Sequence, residues 1–423
     1  MKYRLKDICS ITKGATGIMK ADGGKYPLVA LSEERRSHSE FQFDAKAVIV
    51  PLISSTGHGH ASMKRVHYQE GKFALGNILC AVIPKDETQL HPKYLHLYLQ
   101  QFKETLLVPL MKGAANVSLP INKLADVEIE VPSLERQLEI IALEEEAAEY
   151  KNELEERLIA QDGDVAKLRQ ALLKEAMQGK LTFQNQNDGN AKDLLEKIKT
   201  EKIKIGIKEK NLAEIKDNKT LFEIPNNWSW CKLSDIGEST IGIIFKPSQV
   251  GNDGIPVLRA NNIQDNKIDY SNLLLVNTEV REKQIAQIGD ILICVRSGSN
   301  NLIGKAAVID RKGMSFGAFM SLYRSDYNKF IFLFMKSDLF KMQINDKKST
   351  GINQLTQGTL NSILIPLPPI AEQNRIIKKL EQLMKLCDEL QYSIQQSKIE
   401  NEKLLQGALR DALKKEEIIT IEN

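Results

Sequence analysis

The chain reads PSLERQLEII from Pro132, and a related stretch, PPIAEQNRII, begins at Pro368. The first copy continues to LRQALLKEA, which ends at Ala176, and the second continues to LLQGALRDA, which ends at Ala412. The starts and the ends of the two copies both lie 236 residues apart, so no insertion separates them. A long segment that occurs twice in one register indicates two equivalent structural elements.

Both copies carry apolar residues at alternating steps of three and four, the period of a helix that buries a seam against another helix. At 1.5 Å per residue each helix would be roughly 65 Å long, and neither would be stable alone in water. We therefore predict that the two helices pair antiparallel, with a local bend near Gly163; the alternative is two unrelated surface helices. The predicted seam residues are Ile140, Leu143, Ala147, Tyr150, Leu154, Leu158, Val165, Leu168 and Leu172 in the first copy, and Ile376, Leu380, Leu383, Cys387, Leu390, Ile394, Leu404 and Ala408 in the second.

The composition is typical of a soluble, folded protein. The chain has 423 residues, 42% hydrophobic and 27% charged, which is enough for two or more domains with cores of their own. It shows neither a long apolar run nor a signal-peptide core, so we expect a cytoplasmic protein. The five cysteines are scattered among apolar neighbours, which indicates reduced buried thiols. The net charge of +3 neither requires nor excludes nucleic acid as a partner.

A second repeat lies outside the helices. Its pairs are Leu5 and Leu233, Asp7 and Asp235, Ile8 and Ile236, and Gly14 and Gly242 at an offset of 228, then Leu124 and Leu360, Val127 and Ile363, and Ile129 and Ile365 at an offset of 236. The repeating unit is therefore a globular domain followed by a long helix. The predicted fold class is α+β, with two mixed α/β domains separated by two long helices that form an antiparallel coiled coil with pseudo-twofold symmetry.

The predicted domain boundaries follow from these repeats. They are 1–131 for the first domain, 132–180 for the first long helix, 181–222 for a linker, 223–367 for the second domain, 368–416 for the second long helix and 417–423 for a tail. The linker is rich in Lys and Glu, with charges of mixed sign and a weak amphipathic helix around Leu194–Ile198. We predict that it is a solvated tether, and a nucleic-acid-binding arm is the alternative.

Catalytic motifs are not evident in this sequence. It has no GxGxxG or Walker A loop and no NPPY-like tetrapeptide of the kind found in enzymes that methylate adenine. The triplet Glu70-Gly71-Lys72 matches an acid-x-lysine nuclease pattern, but single matches of this kind are common by chance. His58, His60 and His67 lie close together, yet they lack the paired Cys or regular Cys/His spacing of a zinc site. We therefore predict neither catalysis nor a metal site.

Loops rich in hydrogen-bonding residues follow equivalent strands in both domains. Such side chains suit base edges and phosphates, although ordinary solvated loops are the alternative. The candidate DNA-binding residues are Lys13, Ser54, Ser55, Thr56, His58, His60, Lys64, Arg65, Lys112 and Asn116 in the first domain, and Lys246, Arg259, Asn261, Asn262, Arg296, Ser297, Ser299, Asn300, Asn301, Lys305, Lys348 and Asn353 in the second.

The chain resembles the specificity subunits of type I restriction-modification systems. The motifs that carry the resemblance are PLPPIAEQNRII at 366–377, EAMQGKLTF and LLEKIK after the first helix, FEIPNNWSWCKLSDIG from Phe222 onward, and TGINQLTQGTLNSILIPLP at 350–368. The resemblance covers essentially the whole chain and is weakest in the middles of the domains. The first helix has Arg136 where the second has Glu372, and we expect little consequence from this departure.

The resemblance implies a DNA-reading scaffold without catalysis of its own. Two target-recognition domains would each read one half of a split site on double-stranded DNA, and the paired helices would fix the gap. The helices would dock two modification subunits, which bind S-adenosylmethionine and methylate adenine, and two restriction subunits would supply ATP- and Mg-dependent translocation and cleavage. This chain would bind no cofactor itself. The alternatives are a coiled-coil structural adaptor and a stand-alone DNA-modifying enzyme.

Overall fold

The structure is a computed structural model that describes residues 1–17, 23–56, 59–114, 117–204, 206, 220–299, 302–347 and 354–414. It divides into two compact units. The first contains Met1–Ile159 and Gln395–Asn423, and the second contains Ala160–Ile394. Each unit holds one globular domain together with part of each long helix.

The first domain is built from short strands, small helices and one longer helix, and it leads into the first long helix. Its elements are β1 Lys2–Arg4, α1 Leu5–Ile8, β2 Cys9–Lys13, β3 Tyr26–Val29, β4 Arg36–His38, β5 Phe43–Asp44, β6 Ala47–Pro51, β7 His67–Gln69, β8 Lys72–Leu75, β9 Leu79–Pro84, α2 Pro92–Leu106, α3 Ile121–Ala125, β10 Glu128–Glu130 and α4 Leu134–Met177.

The central strand β6 explains how this domain forms two cores. Its sequence AVIVP is buried throughout, because alternate side chains of a strand point to opposite faces of the sheet and both faces are covered. Val48 and Val50 pack in the same core as Tyr94 of α2. Ala47 and Ile49 pack in a second core with residues of β8. The sheet has the strand order β2-β9-β6-β7, and the smaller sheet beside it has the order β4-β3-β8-β5.

The second domain repeats this plan. Its elements, with the helices that flank it, are α5 Ala191–Lys204, β11 Ser229–Lys232, α6 Leu233–Ile236, β12 Glu238–Ile241, β13 Val250–Gly251, β14 Ile255–Leu258, β15 Ile263–Gln264, β16 Lys267–Ile268, β17 Leu274–Val276, β18 Ile291–Cys294, β19 Ala306–Val308, β20 Ser315–Phe316, β21 Met320–Arg324, α7 Asn328–Lys336, α8 Asp338–Lys347, α9 Gln357–Asn361, β22 Leu364–Leu367 and α10 Ile370–Lys414. The main sheet has the order β12-β21-β18-β19. Ile291 and Ile293 of β18 face one core, and Leu292 and Cys294 face another.

Each domain is closed by pairing its first strand with its last. β1 pairs antiparallel with β10, and β11 pairs antiparallel with β22. The matched residues Ile129 and Ile365 lie in these closing strands and are buried. The start of each domain is thereby hydrogen-bonded to the strand that leads into its long helix.

The matched glycines Gly14 and Gly242 permit a close backbone approach in both domains. A Cβ at Gly14 would lie 2.2 Å from the carbonyl oxygen of Gly76, and a Cβ at Gly242 would lie 2.2 Å from that of Gly317. A side chain at either position would force the two segments apart. The sequence match at an offset of 228 therefore has a steric cause.

The long helices run antiparallel within each unit. In the first unit, Nη2 of Arg136 near the start of α4 donates to the carbonyl oxygen of Ala412 near the end of α10, at 3.3 Å. In the second unit, Nη2 of Arg169 near the end of α4 donates to Oδ1 of Asp388 at 2.6 Å. The helix α4 is continuous through Gly163. The prediction of an α+β chain with two related domains and two long, antiparallel helices is confirmed.

The predicted seam is correct only in part. Its buried members are Ile140, Leu158, Val165, Ile376, Leu380 and Cys387, whereas Leu143, Tyr150, Leu168, Leu390 and Leu404 are exposed. Two helices cover only a narrow stripe on each other. Residues that lie beside this stripe remain accessible. The sequence pattern predicted them to be buried because it does not distinguish residues on the contact line from those at its borders.

The prediction of a solvated tether at 181–222 is wrong for its first half. α5 covers Ala191–Lys204, and its residues Leu194, Leu195 and Ile198 pack on the second domain. Nζ of Lys202 donates to the carbonyl oxygen of Ser234 at 2.6 Å. Residues 205 and 207–219 lie outside the part of the chain that the structure describes.

The difference between Arg136 and Glu372 was expected to have little consequence, but the structure gives Glu372 contacts that Arg136 does not make. Glu372 has 0% relative exposure, and its Oε2 accepts a hydrogen bond from Nε1 of Trp228 at 2.8 Å. Its Oε1 accepts one from Nε2 of Gln184 at 2.6 Å. One turn away, Arg375 pairs with Asp188. This cluster attaches the segment after α4 to the start of α10, and burial raises the pKa of Glu372 although these two donors oppose the shift.

We predict that Glu372→Ala lowers the free energy of unfolding of the second unit by about 1–3 kcal/mol, because the buried indole N–H of Trp228 loses its acceptor and the amide of Gln184 loses one of its two. Urea unfolding followed by tryptophan fluorescence measures this directly, since the two tryptophans, Trp228 and Trp230, both lie in that unit. The matched control is Glu381→Ala, which removes an exposed carboxylate from the same helix. Equal effects of the two substitutions would contradict the role given to Glu372.

Candidate nucleic-acid interface

The hydroxyl groups of the first predicted loop fold it onto itself. Oγ of Ser54 donates to the carbonyl oxygen of His60 at 2.6 Å. Oγ1 of Thr56 lies 2.9 Å from Oγ of Ser62, and the backbone N–H of Lys64 donates to Oγ of Ser55 at 2.8 Å. These serine and threonine side chains therefore shape the loop, while His60 and Lys64 are exposed on it.

A second segment braces the base of this loop. The backbone N–H of Ser54 donates to the carbonyl oxygen of Val117, and that of Leu119 donates to the carbonyl oxygen of Leu52, both at 2.9 Å. Lys112 exchanges two backbone hydrogen bonds with Ser118, each of 2.8 Å. The predicted residues Ser54 and Lys112, far apart in sequence, are thus brought to one place.

Lys13 lies at the same end of the main sheet. β2 and β6 both pair with β9, and Lys13 of β2 and Val50 of β6 are both opposite Cys80. Lys13 is exposed. The structure therefore gathers three of the predicted segments of the first domain at the edge where β6 ends.

The second domain builds its loop in the same way. The loop from Arg296 follows β18, and the backbone N–H of Leu355 donates to the carbonyl oxygen of Val295 at 2.7 Å. Leu355 lies 236 residues after Leu119, which makes the corresponding contact in the first domain. Equivalent loops are therefore braced by equivalent segments.

Arg296 is exposed on this second loop and lies against an aromatic ring. Its guanidinium lies 5.1 Å from the ring centroid of Phe319, a cation–π contact. Phe319 is 57% exposed, so an aromatic face and a guanidinium are presented together. Beside Arg296, the backbone N–H of Ser299 donates to Oγ of Ser297 at 3.2 Å. Sequence reasoning missed Phe319, although its place in GAFM, just before β21, marks it as a loop aromatic.

Lys305 and Lys246 occupy different surroundings. The carbonyl oxygen of Lys305 accepts from the backbone N–H of Cys294 at 2.8 Å, which places Lys305 next to the Arg296 loop. Its side chain lines a cavity of about 850 Å³ with Arg169 and Lys336. Lys246 is exposed at a 3-10 turn.

The prediction that Asn262 contacts DNA is corrected by the structure. Asn262 is 1% exposed. Its Oδ1 accepts from the backbone N–H of Arg259 at 2.9 Å, and its Nδ2 donates to the carbonyl oxygens of Asp269 and Asn272 at 3.0 and 3.1 Å. The amide holds the turn closed, a role that a polar loop sequence does not distinguish from base contact. The neighbouring Asn261 is exposed.

His58, Asn116, Asn300, Asn301, Lys348 and Asn353 lie outside the described residues. For the other candidates the structure gives positions and exposure, and their contact with DNA stays a prediction.

The remaining motifs have structural explanations. Glu70 and Gly71 connect β7 to β8, which begins at Lys72, and Gly71 has a φ of 77°. The Glu70 carboxylate accepts a hydrogen bond from the Tyr68 hydroxyl at 3.1 Å. Within the described ranges, no group of three or more His, Cys, Asp or Glu residues is placed to hold a metal ion. In the same ranges, no helix has the length and apolar character needed to span a membrane.

The family model for the type I restriction modification DNA specificity domain matches residues 1–161 and 225–401. Because these matches cover most of the chain, the protein belongs to this family. Both matches include one globular domain and most of the long helix that follows it.

Curated relatives agree with this assignment. The chain is 30% identical over 269 residues to the type I restriction enzyme EcoAI specificity subunit of Escherichia coli, an alignment covering 60% of this chain and 46% of that protein. It is 34% identical over 176 residues to the EcoKI specificity subunit of Escherichia coli strain K12, covering 39% and 38%. The alignments thus span less than half the length of these relatives.

A solved structure supports the fold. The crystal structure of the HsdS subunit from Thermoanaerobacter tengcongensis matches 98% of this chain and 96% of its own length, with a TM-score of 0.54. The sequence identity is 17%, so this likeness shows the fold alone.

We predict that Asn262→Ala destabilises the second unit by about 2–3 kcal/mol, because three backbone groups lose their partner in a buried turn. The exposed neighbour gives the control, and Asn261→Ala should change stability by less than about 0.5 kcal/mol. Urea unfolding followed by tryptophan fluorescence measures both. If Asn262→Ala kept full stability and changed the preferred DNA sequence, the earlier assignment of Asn262 to DNA contact would stand instead.

Proposed function

We propose that this chain is the sequence-reading subunit of a type I restriction-modification complex and that each domain reads one half of a split DNA site. The observation that carries the proposal is the duplicated loop, which follows a central strand in each domain and is braced at Leu119 or Leu355. Exposed Lys64 and Arg296 sit on these two loops. Fixed loops with polar and cationic side chains suit base edges and phosphates.

The two long helices would set the distance between the half-sites. A helix pair is stiff because its backbone hydrogen bonds are internal and its seam is packed. The exposed apolar residues beside the seam, such as Leu143, Tyr150, Leu390 and Leu404, suit a surface that partner subunits cover. We propose that two modification subunits dock there and that two restriction subunits complete the complex.

The chemistry would then reside in the partners. S-adenosylmethionine would be bound by the modification subunits, and ATP and Mg by the restriction subunits, with no cofactor bound by this chain. The complex would act in the cytoplasm, where its DNA substrate lies. If the chain were only a coiled-coil structural adaptor, it would bind the recognition sequence of the complex no more tightly than scrambled DNA at moderate salt. The alternative of a stand-alone enzyme would show methyl transfer or cleavage by the purified chain.

We predict that Arg296→Ala changes or relaxes the second half-site and leaves the first unchanged, with a loss of about 1–3 kcal/mol of discrimination at the affected base pair. Methylation mapping on a genome, with the chain expressed beside its methylating partner, gives the recognised sequence.

The matched control for this prediction is Arg311→Ala, which removes a guanidinium stacked 4.2 Å from the Tyr270 ring in the same domain. Arg311 lies outside the loop, so its removal should leave both half-sites unchanged. An unaltered sequence after Arg296→Ala, or a change in both half-sites, would remove this loop from the reading surface.

A further inference from the structure

The first domain contains an open pocket of about 480 Å³ beside the candidate reading loop. Among the described residues that line it are Glu33, Arg35, Lys64, Arg65, His67 and His96. The three cations, Arg35, Lys64 and Arg65, face a single lining carboxylate, Glu33. The pocket therefore carries an excess of positive charge.

The Arg35 guanidinium is held in place by neutral acceptors. Its Nε donates to Oε1 of Gln69 at 3.0 Å, its Nη1 to the carbonyl oxygen of Glu33 at 3.0 Å, and its Nη2 to that of Tyr68 at 3.3 Å. Partial burial, with the nearby Arg65 cation, lowers the pKa of Arg35 from its ordinary value. Because these acceptors are neutral, they fix the guanidinium without neutralising its positive charge, which can therefore attract an anionic ligand.

Glu33 occupies the mouth of the pocket. Its Oε2 lies 2.5 Å from Nη1 of Arg65, and the Glu33 side chain is 82% exposed while that of Arg65 is 25% exposed. The hydrogen bond from Arg65 lowers the pKa of Glu33 from its ordinary value. An ion pair at such an exposed carboxylate contributes little stability, so an external anion can replace Glu33 at low cost.

His67 gives an independent indication of a ligand. It is 5% exposed, and its Nε2 is a buried polar atom with no hydrogen-bond partner in the described part of the chain. Burial, with Arg35 and Arg65 nearby, lowers the pKa of His67 to about 4, so the ring is neutral at neutral pH. A buried polar nitrogen without a partner costs about 1–3 kcal/mol, and a bound acceptor or donor in the pocket would satisfy it.

The pocket is joined to the candidate reading loop. Lys64 lies on that loop and Arg65 follows it directly, and the backbone N–H of Lys64 donates to Oγ of Ser55 at 2.8 Å. On the other side, Oε1 of Gln100 in α2 accepts from the backbone N–H of Val66 at 2.7 Å. An anion bound here would lie next to the DNA that the loop contacts.

We propose that this pocket binds a phosphate-class oxyanion, and that its source is a backbone phosphate of the DNA read by the adjacent loop. Arg35 and Arg65 would bind the phosphate oxygens, and Glu33 would occupy the site until the phosphate displaces it. The DNA part of this assignment rests on the proposed function. A bound phosphate would fix the position of the first domain along the duplex without reading a base.

The first test uses inorganic phosphate and the full chain without DNA. Binding is measured by isothermal titration at constant ionic strength, with chloride as the replacing anion. Glu33→Gln should tighten phosphate binding roughly two- to fivefold, the range expected for removing an exposed competing carboxylate. Arg65→Ala should weaken it by at least about tenfold, as expected for loss of a charge-assisted contact.

The control is Glu34→Gln, which removes the same charge one residue further on, from a side chain that does not line the pocket. It should leave phosphate affinity unchanged. A gain of affinity in Glu33→Gln cannot arise from misfolding, so the test holds even if an arginine variant folds poorly. If Glu33→Gln binds phosphate no more tightly than Glu34→Gln, the pocket is not a phosphate site.

The second test identifies the source of the phosphate. Neutral methylphosphonate linkages are placed one at a time in a duplex carrying the recognition sequence, and binding is measured at several salt concentrations. One linkage should weaken binding of the unaltered chain but not of Arg65→Ala, whose salt slope should be lower by about 1. Glu33→Gln should bind the unmodified duplex more tightly than Glu34→Gln.

The outcomes separate this inference from the proposed function. If phosphate binds as expected but no linkage depends on Arg65, the pocket takes free phosphate and the DNA assignment is overturned. If phosphate binds as expected and the chain shows no sequence preference on any duplex, the proposed function fails while the oxyanion pocket stands.

Discussion

The structure depends on two long helices that lie antiparallel within each unit and bury apolar residues in the core of its domain. α4 and α10 contain 44 and 45 residues, and helices in proteins gain most of their stability by packing an apolar face. Running antiparallel, they provide each unit with the end of one helix and the start of the other. Ile140 and Leu413 share one core with the first domain, and Leu173 and Ile376 share another with the second. Each domain core is therefore completed by both helices.

The closing strands explain why one domain design could be used twice. Because β1 pairs with β10 and β11 with β22, each domain returns the chain to its starting edge before the helix begins. The loop after the central strand is held by a second segment of the same domain. In the first domain Leu119 of that segment hydrogen-bonds to the residue after the strand, and in the second domain Leu355 does so. The middle of each domain can then vary while its ends keep their contacts. A polar pocket such as that around Arg35 can be added to one domain without altering the shared frame.

The repeats and the helix pairing can be predicted because they depend on the spacing of residues. That spacing is visible in the sequence, since the two helical segments keep one offset of 236 residues from start to end. The loop positions followed from the strands before them. The roles of single polar residues did not follow, because burial decides them and a sequence shows no burial. Asn262 and Asn261 are identical neighbours, yet one closes a turn and the other faces solvent. The repeat has Glu372 where the first copy has Arg136, and the reason is the hydrogen bond that Glu372 accepts from the buried indole of Trp228, which the sequence does not show. The weak amphipathic pattern around Leu194–Ile198 indicated the helix α5, but not its packing on the second domain, because its charged residues outnumber the few that pack.

The antiparallel pairing is tested most directly by distances between spin labels on the two long helices. All five native cysteines are buried, so cysteines introduced at exposed or half-buried positions can be labelled selectively. Labels at Arg169 and Asp388, and in a second sample at Leu143 and Leu405, should both give the short distances of side chains on helices packed about 8–10 Å apart. A short distance between labels at Arg169 and Leu405, with a long one between Arg169 and Asp388, would show parallel helices and contradict the account.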